Sequence, residues 1–126
     1  MQYESDYIMR MIKEVTRVLI SVLLGKNYVQ VELPEENKYR ISGKKLNEYK
    51  EMIDRGEINE AENILLEEID YSNEDEVAAA ILFYQYVAEK GEAFLNEHNY
   101  SEEEVLEGLK QLAEQSGFGE VCDIIE

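Results

Sequence analysis

Hydrophobic positions along this 126-residue chain recur mostly at helical intervals, and the first such run is the widest. At about 100° per residue, Arg10, Lys13, Glu14, Arg17 and Ser21 fall within one narrow polar stripe. Tyr7, Ile8, Met11, Ile12, Val15, Val18, Leu19, Val22 and Leu23 cover the opposite side, widened by Met9, Ile20 and Leu24. Ser5 or Asp6 is placed to cap the start, and Gly25 suits a left-handed turn past the end. A helix with so little polar surface needs cover from other elements, from a second copy, or from a lipid surface.

The pattern then changes. Val29, Val31 and Leu33 alternate with Gln30 and Glu32, the period of an extended segment, until Pro34 ends it. Ser42-Gly43 marks another break, so residues 26–43 read as an ordered connection with a short strand, which would need a second copy to pair with. From Lys44 the spacing is helical again. Leu46, Tyr49, Met52 and Ile53 form one apolar face that stops at Gly56, and Ile58, Ala61, Ile64, Leu65 and Ile69 form the next, with Asn59 as its cap. Two helices so closely joined fold back on each other, which defines a first hairpin over 44–70.

Asp70-Tyr-Ser-Asn-Glu-Asp75 has the acidic look of a calcium loop. From Asp70, however, the sixth position is Asp75 instead of glycine and the twelfth is Ile81 instead of glutamate. It reads instead as a turn leading into a helix whose acidic start suits the helix dipole. Val77, Ala80, Ile81, Tyr84, Val87 and Ala88 form the apolar side of that helix, with Ala78 and Ala79 permitting close packing and Phe83 and Tyr86 lying off it. The helix either ends at Gly91 or continues through Phe94 and Leu95. Ser101-Glu-Glu-Glu104 is a capping-box start for a helix carrying Val105, Leu106, Leu109 and Leu112. Helices over 74–97 and 101–115 make a second hairpin, and residues 116–126 a short apolar C-terminal cap. The expectation is a single all-α domain over 1–126, a small bundle of about five helices with antiparallel hairpins and a long N-terminal amphipathic helix.

Charge narrows the range of partners. The net charge is −17 and 44% of residues are apolar, enough for a packed core. Residues 1–26 carry Arg10, Lys13, Arg17 and Lys26 against Glu4, Asp6 and Glu14, a balance of +1, so residues 27–126 hold −18. That field repels phosphate backbones, and no nucleic-acid partner is expected. Met1 to Asp6 is polar and acidic, unlike a signal peptide. Ser21, with the basic residues upstream, interrupts the first helix too early for a conventional span of roughly 20 apolar residues. With Cys122 as the one cysteine, a reducing cytoplasm is the expected setting.

No catalytic constellation emerges. His98, the one histidine, is flanked by Glu97 and Asn99 at a helix end and reads as a solvated cap residue. Cys122 lies among Val121 and Ile124, suited to an inert buried thiol. Glu67-Glu68, Glu74-Asp75-Glu76 and Glu102-Glu103-Glu104 read as solvated faces or first turns. Position 95, three before His98, is leucine, so the Glu-x-x-His signature of di-metal bundles is missing, as is any phosphate-binding glycine loop. No catalytic residue, metal or cofactor is assigned. Nine tyrosines stand against three phenylalanines. Tyr84, Tyr86 and Tyr100 are candidates for lining a partner-binding groove, since tyrosine suits interfaces with one wet edge, and Arg10 and Arg17 are candidates on the basic stripe.

Two resemblances add to this. Tyr49 and Met52, then Gly56, Ile58, Glu60-Ala61 and Leu65, resemble one tetratricopeptide (TPR) hairpin, in which a glycine closes the first helix and a small residue lets the second approach. Lys45 replaces the tryptophan-like position of that pattern and Asn73 the common proline. Over nearly its full length the chain resembles a family of short acidic proteins from Firmicutes bacteria to which no activity is assigned. That resemblance is carried by Asp6-Tyr-Ile-Met-Arg-Met-Ile12, Leu24-Gly-Lys26, Gly56-Glu-Ile-Asn-Glu-Ala-Glu62, Leu82-Phe-Tyr84 and Ser101-Glu-Glu-Glu104. The expected function is a non-enzymatic, TPR-like interaction module binding an unidentified protein, with self-association through the first helix also expected. The alternative is a peripheral membrane protein using that helix; attachment to a membrane surface is the less favoured.

Overall fold

The computed structural model describes the backbone of residues 2–24, 40–41 and 44–117. The described residues form six helices: α1 (Gln2–Leu24), α2 (Leu46–Asp54), α3 (Ile58–Glu68), α4 (Glu74–Glu89), α5 (Glu92–Glu97) and α6 (Glu102–Gln115). The expected all-α small bundle is what the chain forms. One short antiparallel ribbon accompanies it, β1 (Arg40–Ile41) with β2 (Lys44–Lys45), Arg40 opposite Lys45 and Ile41 opposite Lys44. Lys44 and Lys45 therefore belong to the ribbon, and α2 begins only at Leu46. The proposed strand around Val29–Leu33, Gly25, Cys122 and the C-terminal segment beyond Gly117 lie outside the described residues.

The hub of the bundle is α4. Val77 through Tyr84 are buried without interruption, followed by Val87 and Ala88. A helix that is apolar all round must be surrounded, and α1, α2 and α6 all pack against this one. Ala78, Ala79 and Ala80 keep its first turns thin enough for that approach. Phe83, which helical spacing puts off the main apolar side, is fully buried, edge-on to both Tyr49 of α2 and Tyr84 at centroid distances of 5.9 and 5.2 Å.

Against this hub α1 lays Ile12, Val15, Leu19, Ile20 and Leu23, all buried, in the contact with α4 and α6. At ~2 kcal/mol for each large aliphatic side chain removed from water, these five contribute on the order of 10 kcal/mol before entropy is counted. With these side chains part of the one core cluster, α1 is an integral layer and not a detachable arm. It is already helical at Gln2; Ser5 and Asp6 lie inside it and are not its caps.

Two bends hold the remaining elements together. Gly56 (φ +86°) turns the chain between α2 and α3, and Asn99 (φ +62°) turns it between α5 and α6, both in the left-handed region that glycine and asparagine tolerate. The bends touch: the His98 ring lies directly over the Gly56 backbone, and Asn59 Nδ2 donates to the Asn99 carbonyl at 3.1 Å. The Asn59 side chain is thus used for this long-range tie. The residue before α3 is Glu57, which makes no side-chain cap. Gly91 (φ +93°) ends α4, so the stretch 74–97 is two helices instead of one. Where the TPR pattern commonly has proline, Asn73 caps α4, its Oδ1 accepting from Asp75 N–H at 3.0 Å and Glu76 N–H at 3.2 Å. Ser101 caps α6 as expected, accepting from Glu104 N–H at 3.2 Å.

Candidate interaction surface

The tyrosines divide into core and surface. Tyr84 and Tyr100 are 1% and 2% exposed, so neither lines a groove, contrary to expectation. Tyr84 runs from α4 across Gly108 of α6 and donates its hydroxyl to Glu62 Oε2 on α3 at 2.7 Å. Burial, and then the Glu62 charge, push the phenols of both Tyr84 and Tyr100 far above their usual range. Burial likewise raises Tyr49 to about 12, with help from Glu68, Glu76 and Glu48. The Tyr49 and Tyr100 hydroxyls are buried without a hydrogen-bond partner.

Tyr86 does reach the surface, but as part of a brace between α2 and α4. Its hydroxyl donates to Asp54 Oδ1 at 2.7 Å, and Lys90 Nζ stands 2.5 Å from the same oxygen. The Lys90 ammonium and the Tyr86 hydroxyl together lower the Asp54 carboxyl, and Asp54 raises both Lys90 and Tyr86. Lys50 and Lys90 lie over the Tyr86 ring at 4.8 and 5.0 Å, and Lys90 also lies 5.3 Å from Phe94. Within the cluster Asp54 and Lys90 form the ion pair. His98 is the C-cap residue of α5, as expected at a helix end, but its ring is half-buried instead of solvated: it packs on Phe94 at 4.6 Å and covers Gly56. Among the described residues no group of three or more histidine, cysteine or acidic side chains is placed to hold a metal ion.

The outward side of α1 is different. Arg10 and Arg17 are exposed there, Arg17 paired with Glu14 one turn earlier. Beside them runs an apolar stripe: Tyr7 (56% exposed), Met11, Val18 and Val22 (44% exposed). A shallow depression of about 140 Å³ opens in it, lined by Tyr7, Arg10, Met11 and Glu14. The helical spacing had grouped Tyr7, Met11, Val18 and Val22 with the buried side. The usable signal was the width of the apolar arc, since one flank of an arc so wide stays outside a contact with two neighbouring helices. No described helix is long and apolar enough to cross a membrane.

An acidic all-α bundle with a core helix, braced hairpins and an exposed apolar stripe on its first helix is the class of protein these features define. The chain belongs to a family of unknown function, DUF6483, whose model matches residues 2–117. No curated protein and no solved structure matches it.

Proposed function

We propose that this protein is a non-enzymatic, TPR-like helical interaction module of the bacterial cytoplasm, and that the outward stripe of α1 is its docking surface. The observation that carries this reading is that α1 uses one face to build the core and still leaves in solvent Tyr7, at the rim of a shallow depression, and Val22, farther along the same outward stripe. Exposed apolar side chains along one helix face, one of them rimming a concavity, are the usual mark of a contact site. The packing of the α2–α3 hairpin against α4 supports the TPR-like part, and the single cysteine the cytoplasmic part.

Affinity capture from native lysate tests the reading, using tagged wild-type protein beside Tyr7→Lys and Val22→Lys. Both sites are exposed, so the variants retain the helical circular dichroism of the wild type. Proteins recovered with the wild type, its own untagged copies included, should be lost from both variants. Undiminished recovery by the variants would remove α1 as the docking surface.

A second reading rests on the exposed Arg10, Lys13 and Arg17 beside the same stripe, a basic-rimmed apolar edge suited to an anionic membrane surface. Because the core already takes the broad face of α1, only a thin edge remains for lipid. Co-sedimentation with anionic vesicles that weakens with salt supports this reading, and no sedimentation at low salt disposes of it.

A further inference from the structure

The four residues that line the α1 depression stand at positions 7, 10, 11 and 14, that is i, i+3, i+4 and i+7 of a single helix. This is the set that forms the hole in knobs-into-holes packing between two helices. Its volume is close to the roughly 150 Å³ that accommodates a benzene molecule, ample for one branched side chain. Farther along the same outward stripe stands an exposed branched side chain, Val22. One helix face thus presents both a hole and a knob.

We propose that the occupant of this face is a second copy of the chain, α1 packed antiparallel on α1, with Val22 of each copy seated in the depression of the other. The proposal rests on the reading of α1 as a docking face and names what docks there. The hole is centred between Arg10 and Met11, about 17 Å along the helix from Val22 at 1.5 Å per residue. Mutual insertion therefore requires the helices to run in opposite directions about a two-fold axis at the height of residue 16. An isologous contact of this kind needs one self-complementary patch. Near that axis Glu14 of one copy comes level, to within about 2 Å along the helix, with Arg17 of the other. The pair that α1 already makes internally is then doubled across the interface.

Among two-fold contacts, in which each surface meets itself, charge favours this face. Each copy carries −17, of which residues 27–126 hold −18 and residues 1–26 hold +1. At physiological salt the screening length is about 8 Å, so distant charges matter little while like charges brought into contact still repel. Two copies meeting through α2 to α6 would oppose carboxylate to carboxylate. Through α1 they oppose valine to methionine and glutamate to arginine. One helix pair buries less than the roughly 1,200–2,000 Å² of stable complexes, so association is concentration-dependent.

Sedimentation equilibrium of the full chain over a dilution series tests the proposal. The wild type should move from 14.7 kDa towards twice that mass as concentration rises. Val22→Lys, folded by circular dichroism, should dissociate at a concentration at least tenfold higher. On a Cys122→Ser background, a mixture of Met11→Cys and Val22→Cys chains should form the mixed disulfide dimer, with little from either chain alone. A monomer at every concentration overturns the proposal, as does a dimer indifferent to Val22→Lys. Dimers of Met11→Cys alone overturn the antiparallel arrangement. If the wild type is monomeric but still captures another protein in a Val22-dependent way, the second-copy inference fails and α1 stands as a docking face. Loss of both removes the docking reading as well.

Discussion

A methyl group on Gly56 would stand 2.3 Å from Cε1 and Nδ1 of His98, well inside contact distance, and at φ +86° it would also strain the backbone by about 1–2 kcal/mol. Gly56→Ala should therefore cost roughly 2 kcal/mol or more. Adding His98→Ala removes the ring but not the strain, so the double variant should recover part of that loss. A double-mutant cycle by urea denaturation measures the split, and strictly additive costs would show that the ring is no obstacle. Gly56 was legible in the sequence as a helix stop. His98 as its cover was not, because 42 positions separate them and no local pattern encodes a contact made when two bends meet. Asn59 shows the same limit. Its chemistry suits an N-cap, but α3 starts one residue earlier, at Ile58, and the Asn59 amide donates instead to the Asn99 carbonyl across the bends. Tyr84 and Tyr100 look like groove residues because tyrosine has one polar end. Glu62 meets the Tyr84 hydroxyl, which allows the ring to be buried.

Helix α6 sets intrinsic propensity against packing. Gly108 lies in its interior, where alanine is normally favoured by about 1 kcal/mol. Yet a Cβ at Gly108 would meet the Tyr84 ring and hydroxyl at 2.5–2.7 Å. The ring cannot swing away without breaking the hydroxyl bond to Glu62 and leaving its place beside Phe83. Gly108→Ala is therefore expected to destabilise by about 1–3 kcal/mol, as overpacking does, with the urea midpoint as readout. A higher midpoint would mean that the α4–α6 contact is looser than it stands. This close approach was illegible, since an isolated glycine in a helical pattern signals only a weak helix. The helices themselves were largely legible, as were the break at Gly56 and the Ser101 cap, whereas the sequence left open whether the helix from Glu74 stops at Gly91. Which of them forms the centre was not. Amphipathic pattern makes α1 conspicuous, whereas α4, buried without interruption from Val77 to Tyr84, shows little contrast between faces. Its Ala-Ala-Ala-Ile-Leu-Phe run, read for total apolarity instead of periodicity, is the signal of the hub.

At the scale of the whole molecule, three buried phenols couple stability to alkaline pH. Tyr49 sits on α2, Tyr84 on α4 and Tyr100 before α6, so together they sample both hairpins and the hub. Their folded pKa values are raised, Tyr49 to about 12 and the other two further, chiefly by burial. In the unfolded chain each returns to about 10. Below pH ~10 both states hold these protons and the contribution to stability is complete. Above it the unfolded chain releases them first, so stability falls by about 1.4 kcal/mol per pH unit for each tyrosine. The loss for Tyr49 levels off as pH passes about 12, and for the other two it continues. Urea midpoints should thus hold level from about pH 7 to about pH 9 and drop steeply beyond pH ~10. In a parallel absorbance titration, three of the nine tyrosines should ionise only as helical circular dichroism disappears. If all nine ionised near pH 10 with helicity intact, the three hydroxyls would be reaching water, and the packing of α2, α4 and α6 around them would have to be looser than the fold described above.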